Sequence, residues 1–343
     1  MIRCYPKRVL SAALVCSILY FVIDHLFYPQ DYQPVEQPIE HMRFNQLQVR
    51  ESNLVMAVGP RPLQKPKADS NNFFLPVPLG QKEEASYIKT NRLELRGLNQ
   101  KSTAMDDPKL LKTIKQYWMA EPSYKLYNLE DYNKVDFSMG QSLTVDKLLN
   151  QKRGGFFVEC GALDGETRSN TLFFERERNW NGLLIEAGPL NYRKLIEKNR
   201  KAYATPACLS PRSYPNVMYF HRGKNRGRLI DNDEAFSWVH NQNMNLWLME
   251  VQCFPLYSLL LSLNRTKVDY FSLDVEGVEL DVLQTIPFDK VDISVLTVEF
   301  AHGTGGRKAM EDFMAGKGYK AAGEVVRQDH LAWDLVFIKS SLL

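Results

Sequence analysis

Little in this 343-residue chain is extreme, and what is scarce removes whole classes of function. Basic and acidic residues nearly cancel, 43 Lys and Arg against 40 Asp and Glu for a net charge of +3. With no basic stripe, zinc-finger spacing or RNP-like run, no nucleic-acid partner is expected. The chain has no internal repeat and no low-complexity tract. It also lacks the G-x-G-x-x-G run of a dinucleotide fold. Apolar residues make up 44% and charged residues 24% of the sequence, which excludes wholesale disorder.

A cleavage site is missing as well. Arg3, Lys7 and Arg8 precede an apolar run from Val9 to Ile23, extendable through Leu26 and Phe27. That stretch approaches the ~20 residues needed to span a bilayer. No small-residue pattern follows it, so an uncleaved signal anchor is expected rather than a removed signal peptide. Positive charge before the run, with Asp24 and Asp31 after it, orients the N-terminus to the cytoplasm. The expected layout is a tail over 1–8, a membrane anchor over 9–28, a stem over 29–105 and a folded domain over 106–343. The bulk of the chain then lies in the lumen of the secretory pathway. Pro29, Pro34, Pro38, Pro60, Pro62, Pro66, Pro76 and Pro78 break any helical period and mark the stem. Asn264-Arg265-Thr266 is a glycosylation sequon. Of the cysteines, Cys160, Cys208 and Cys253 would face the lumen. Two readings stand open: Cys208 and Cys253 bridge neighbouring strands, or all three thiols stay free.

From Asp107 the pattern alternates. "DDPKLLKTIKQYW" reads as a helix capped by Asp106 or Asp107, and "SLTVDKLLNQKR" as a second. Strand-like segments then interleave with helical ones from "GFFVECG" to "GGRKAMEDFMAGKG". That order predicts a mostly parallel sheet wound on both faces. "YKAAGEVV" and "LAWDLVFIKS" follow with a short connection and must pair as an antiparallel hairpin. The interval 211–253 falls outside the alternation and reads as an exposed loop or a substrate-contacting insertion.

In such sheets ligands bind beyond the carboxyl ends of the strands. The first strand ends in "ECGALDG", where Gly161 and Gly165 permit a tight turn. Glu186 ends the second strand about twenty residues on, where an acid accepts hydrogen bonds from ribose hydroxyls. Asp164 inside the turn would repel a pyrophosphate but suits a ligand carrying ammonium and sulfonium. Glu159 has the same character. These features favour S-adenosylmethionine over a nicotinamide dinucleotide. "LDVEGVE" sets Asp274, Glu276 and Glu279 beside one another at a third strand end. A cation held by Asp274, Glu276 and Glu299 is conceivable, but no metal is expected. Glu276 and His302 are the candidate bases for an acceptor hydroxyl.

The set "FVECGALDGETRSNT", "GLLIEAGPLNYRKL", "TPACLSP", "YFSLDVEGVELDVLQTI" and "VLTVEFAH" resembles the FkbM-type methyltransferase domain. The resemblance implies a class I, Rossmann-like fold with a seven-stranded sheet and S-adenosylmethionine-dependent O-methyl transfer. By that pattern Glu159, Gly161 and Gly165 line the methionine end, Glu186 the ribose, and Asp274 the amino group or acceptor. The first motif departs from the family's usual Asp-Val-Gly-Ala-Asn-x-Gly at Glu159 and at Leu163-Asp164. With its anchor and stem the chain is also similar to relatives of the insect membrane protein Star. That second likeness implies a non-catalytic role in endoplasmic reticulum, Golgi or endosomal trafficking, with a membrane-anchored growth-factor precursor as cargo.

Overall fold

A computed structural model describes residues 94–221, 228–230, 248–275, 277–300, 306–328 and 332–343. The expected anchor, the stem up to residue 93, and the candidate bases Glu276 and His302 lie outside the described residues. Among the described residues no helix is long and apolar enough to cross a membrane. Residues 94–100, on the stem side of the expected boundary, are helical and bury Leu95 and Leu98 in the core.

Asp107 caps α1 (Pro108–Tyr117) by accepting from the Lys109 and Leu110 amides at 2.8 and 3.1 Å. Pro108 costs nothing at this first helical position because no intrahelical partner exists there. α2 (Gln141–Leu148) follows, and then β1 (Phe156–Cys160), α3 (Leu172–Arg178), β2 (Asn181–Ile185), α4 (Pro189–Glu197) and β3 (Tyr203–Thr205). After β4 to β7, discussed below, come α5 (Leu256–Ser262), β8 (Lys267–Leu273), α6 (Glu279–Thr285) and β9 (Asp292–Glu299). The chain closes with α7 (Gly306–Gly316), β10 (Tyr319–Val326) and β11 (Trp333–Lys339).

Seven strands form one sheet in the order β10-β11-β9-β8-β1-β2-β3. β9, β8, β1, β2 and β3 pair in parallel, and β11 enters antiparallel between β9 and β10. The mostly parallel α/β sheet with its final hairpin is therefore present as expected. Both faces are covered. Phe156, Val158 and Cys160 of β1 pack with α1, α5, α6 and α7, while Phe157 packs on the opposite side with α3 and α4. Burial on both faces explains why the parallel strands read as unbroken apolar runs.

The segment "AYATPACLS" does not make one strand. Pro206 has no amide to donate, and the run divides into β3 and β4 (Cys208–Leu209), which join different sheets. Nor is 211–253 simply a loop. It contributes β5 (Asn216–His221), β6 (Arg228–Ile230) and β7 (Leu248–Phe254) to a second sheet ordered β4-β7-β5-β6. Cys208 and Cys253 are register partners on β4 and β7 and are joined by a disulfide, with Cα atoms 4.3 Å apart. Cys160 is a buried free thiol.

Candidate functional site at the carboxyl ends of the strands

β1, β2 and β8 end side by side, and backbone hydrogen bonds join their exits. The Gly161 and Ala162 amides donate to Ile185 O at 3.1 and 3.2 Å, and the Asp274 amide donates to Cys160 O at 3.2 Å. The turn then crosses three positive-φ positions, Gly161 (+83°), Leu163 (+48°) and Gly165 (+80°). At Gly161 a Cβ would stand 2.2 Å from Asp274 O, so only glycine fits.

Glu186 directly follows β2 and is 5% exposed. Its Oε2 accepts from the Leu163 amide at 2.8 Å and its Oε1 from the Gly188 amide at 2.7 Å. Burial pushes its pKa up to about 7. The hydrogen bonds from Gly188, Leu163 and Asn191 oppose that rise, and the charge of Asp164 adds to it. The side chain thus ties the β1 turn to the start of α4 and keeps its remaining lone pairs at the strand end.

Glu159 and Asp164, expected to face the ligand, are engaged by the chain itself. Glu159 projects to the α3 side of β1, where it accepts from Ser169 Oγ at 2.9 Å, the Asn170 amide at 2.6 Å and Thr171 Oγ1 at 2.5 Å. Burial raises its pKa, against the lowering influence of Arg200 and those hydrogen bonds. Asp164 accepts from the Glu166 and Thr167 amides at 3.0 and 2.7 Å and from Thr167 Oγ1 at 2.8 Å. Partial burial raises its pKa, but these bonds and the charge of Lys198 together hold it below the usual range. Glu159 lies beneath the turn, and Asp164 closes the turn on itself.

Arg200, which sequence reasoning passed over, clasps the turn from the same side. It donates Nη1 to Gly165 O and to Ser169 Oγ (3.3 Å), Nη2 to Thr171 Oγ1 (3.2 Å) and Nε to Glu175 (3.0 Å). In "KNRK" it reads as an ordinary solvated cation at a helix end, and no sequence signal separates it from its neighbours.

At the β8 end, Asp274 is exposed. Asp274, Glu279 and Glu299 each place a carboxylate oxygen within 4.8 Å of the others. Glu279 is fully buried and accepts from the Val275 amide at 3.0 Å and the Gly277 amide at 3.0 and 3.1 Å. Burial pushes its pKa up to about 7, with the Gly277 bond opposing and the charge of Glu299 adding. Asp334 lies opposite Glu299 across the β11–β9 pair and accepts from Gln141 Nε2 at 2.9 Å. Burial chiefly raises it to about 6. This all-oxygen set is suited to a hard divalent cation. Among the described residues Glu279 completes it, and the expected member Glu276 lies outside them.

The second sheet borders the same strand ends. Met218, Met249, Val251 and the disulfide cluster with Ala187, Phe220 and Val278, which belong to or contact the loops after β2 and β8. The alternation of "MEVQC", with Met249 buried and Glu250 exposed, is the strand signal that could have revealed it. The sequon residue Asn264 is exposed in the turn between α5 and β8.

Residues 159–321 match the family model of the methyltransferase FkbM domain. Over that segment the chain is similar to the methyltransferase FkbM domain. The matched segment runs from Glu159 in β1 to Ala321 in β10 and so contains all the strand ends described above. No curated protein matches the chain. Among solved structures, methyltransferase FkbM from Methylobacillus flagellatus KT is 13% identical with a TM-score of 0.39, over 75% of this chain and 60% of that one. This chain thus spans less than two thirds of that protein's length. A protein from Pyrococcus horikoshii described as an RNA methyltransferase is 10% identical with a TM-score of 0.31, over 73% and 97% of the two chains.

Proposed function

We propose that the FkbM-type domain binds S-adenosylmethionine at the carboxyl ends of β1, β2 and β8 and transfers its methyl group to an acceptor oxygen. One observation carries the reading. A glycine turn too tight for any Cβ, a buried acid at the end of β2 and an exposed acid at the end of β8 converge on one spot. These residues fit the cofactor. The lone pairs of Glu186 not used by Leu163, Gly188 and Asn191 suit ribose hydroxyls, and the carboxylate of Asp274 suits an ammonium group. When bound, S-adenosylmethionine supplies a methyl carbon made electrophilic by its sulfonium. The chain's part is to align the acceptor hydroxyl and take its proton, for which Glu276 and His302 are the candidates.

S-adenosylhomocysteine is expected to raise the melting temperature of the protein. A ligand at about a hundred times its Kd adds about 2.7 kcal/mol. Asp274→Ala, at an exposed position, is expected to abolish that rise while the unliganded melt stays cooperative. An unchanged melt of the wild type with millimolar ligand overturns the reading.

A second reading is a Star-like, non-catalytic carrier of membrane-anchored cargo. It draws support from Glu159 and Asp164, whose carboxylates are spent inside the chain. Binding of S-adenosylhomocysteine without methyl transfer to any acceptor pool, together with co-precipitated growth-factor precursor, would favour it. Both readings share the anchor and the lumenal setting, which rest on the Val9–Ile23 run and its flanking charges.

A further inference from the structure

At the opposite end of the sheet, where β1, β2 and β8 begin, a cleft of about 350 Å³ is lined by Lys152, Arg265, Lys267, Asp269, Asn179 and Asn181, with Gly154 to Phe156 as its floor. The volume lies within the range of small-ligand sites. We propose that this cleft binds the phosphate group of a small phosphate ester. The inference is independent of methyl transfer, since it uses none of the residues of that site.

Charge and pre-organisation carry it. Three cations line the cleft against one carboxylate, a net of +2 from Lys152, Arg265 and Lys267 less Asp269. Asp269 is buried and already committed. One oxygen takes Lys152 Nζ at 2.5 Å and the other the Phe156 amide at 2.8 Å, which fixes the ammonium at the wall. The guanidinium of Arg265 lies over the Phe156 ring, 4.9 Å from its centroid, with its donor edges left for a ligand. On the neighbouring strand Asp292, in register with Lys267, is held by Lys339 at 2.6 Å.

Packing on the inner side requires glycine at position 155. A Cβ on Gly155 would stand 2.6 Å from the Trp180 indole, and Trp180 Nε1 donates to Lys152 O at 2.8 Å. A glycine floor, two cations held in place by other contacts, and the exposed side chains of Asn179 and Asn181 make a concave donor site. A phosphate dianion matches it because a guanidinium fork and an ammonium address three tetrahedral oxygens at once.

The test is calorimetric titration of the purified full chain with inorganic phosphate, glucose 6-phosphate and, as a neutral control, glucose. Both phosphates are expected to bind and glucose not. Tighter binding of glucose 6-phosphate marks an ester as the natural ligand, and equal affinities mark free phosphate. The double variant Arg265→Ala/Lys267→Ala changes two exposed side chains and is expected to weaken binding about tenfold or more. Its melting curve checks that it folds. Neutralising Arg222, Lys224 and Arg226, the other basic run of the sequence, is expected to leave binding unchanged. Absence of heat with either phosphate at about 10 mM overturns the proposal. So does undiminished binding in the folded double variant, or a loss that follows the 222–226 substitutions instead.

Discussion

At Gly161 two independent constraints fall on one residue, a backbone dihedral of +83° and a carbonyl oxygen 2.2 Å from where a Cβ would stand. Gly161→Ala is expected to cost about 2–4 kcal/mol, because Asp274 O is backbone and cannot swing aside. Thermal melting reads that loss, and S-adenosylhomocysteine titration is expected to show binding gone even where folding survives. A variant that melts and binds like wild type would mean the turn is more plastic than its geometry implies. At this scale the sequence was legible for Glu186, because a strand followed by an acid at a set distance is a local pattern. It was not legible for Glu159. Its partners lie 10 to 12 residues downstream, and nothing in "FFVECG" says which face of a doubly buried strand carries the acid. Arg200 was hidden for the same reason, since its role depends on where α4 delivers the chain in space.

The disulfide belongs to the scale of elements, since it joins β4, which continues directly from the parallel sheet, to β7, which leads into α5. Closing a separation of 45 residues is worth about 4 kcal/mol in the chain-entropy limit, with measured values commonly 2–4. Cys208→Ser/Cys253→Ser is expected to lower the melting temperature by several degrees in non-reducing buffer and to make it insensitive to dithiothreitol. Equal melting of wild type and variant without reductant would show that the second sheet holds without the bond. The long helices and parallel strands could be read from amphipathic period and apolar runs. β5 to β7 were harder to read, because β6 is three residues long and the apolar "LWLM" run blurs the start of the "MEVQC" alternation. The break at Pro206 was readable in principle, for a proline inside a short apolar run argues against a single central strand.

Across the whole molecule, acids with raised and lowered pKa values act in opposite directions. Glu186 and Glu279 sit at about 7 and Asp334 at about 6, each raised chiefly by burial, so the folded state holds protons that the unfolded chain releases. Stability is then lost as pH rises from about 5 to about 8, by of order 1–3 kcal/mol per group. Asp164 and Glu166 are lowered, and their contribution is lost as pH falls below about 4. Melting temperature is therefore expected to peak near about pH 5 and to decline toward pH 8. Glu279→Gln is expected to flatten the upper limb, and a melting temperature that climbs from pH 5 to pH 8 would contradict this assignment. The topology proposal is tested at the same scale. In cells, carbonate extraction is expected to leave the protein with membranes. Asn264→Gln is expected to remove a glycosidase-sensitive mobility shift, and a wild-type protein without that shift would count against a lumenal domain.

The bond between Cys208 and Cys253 also has a topological meaning. It closes the intervening segment into a covalent ring whose ends are two adjacent strands of the second sheet. A protease that cuts once inside the ring yields fragments that separate only under reduction. The strands on either side remain tethered through the sulfurs, and the two halves of the parallel sheet stay one molecule.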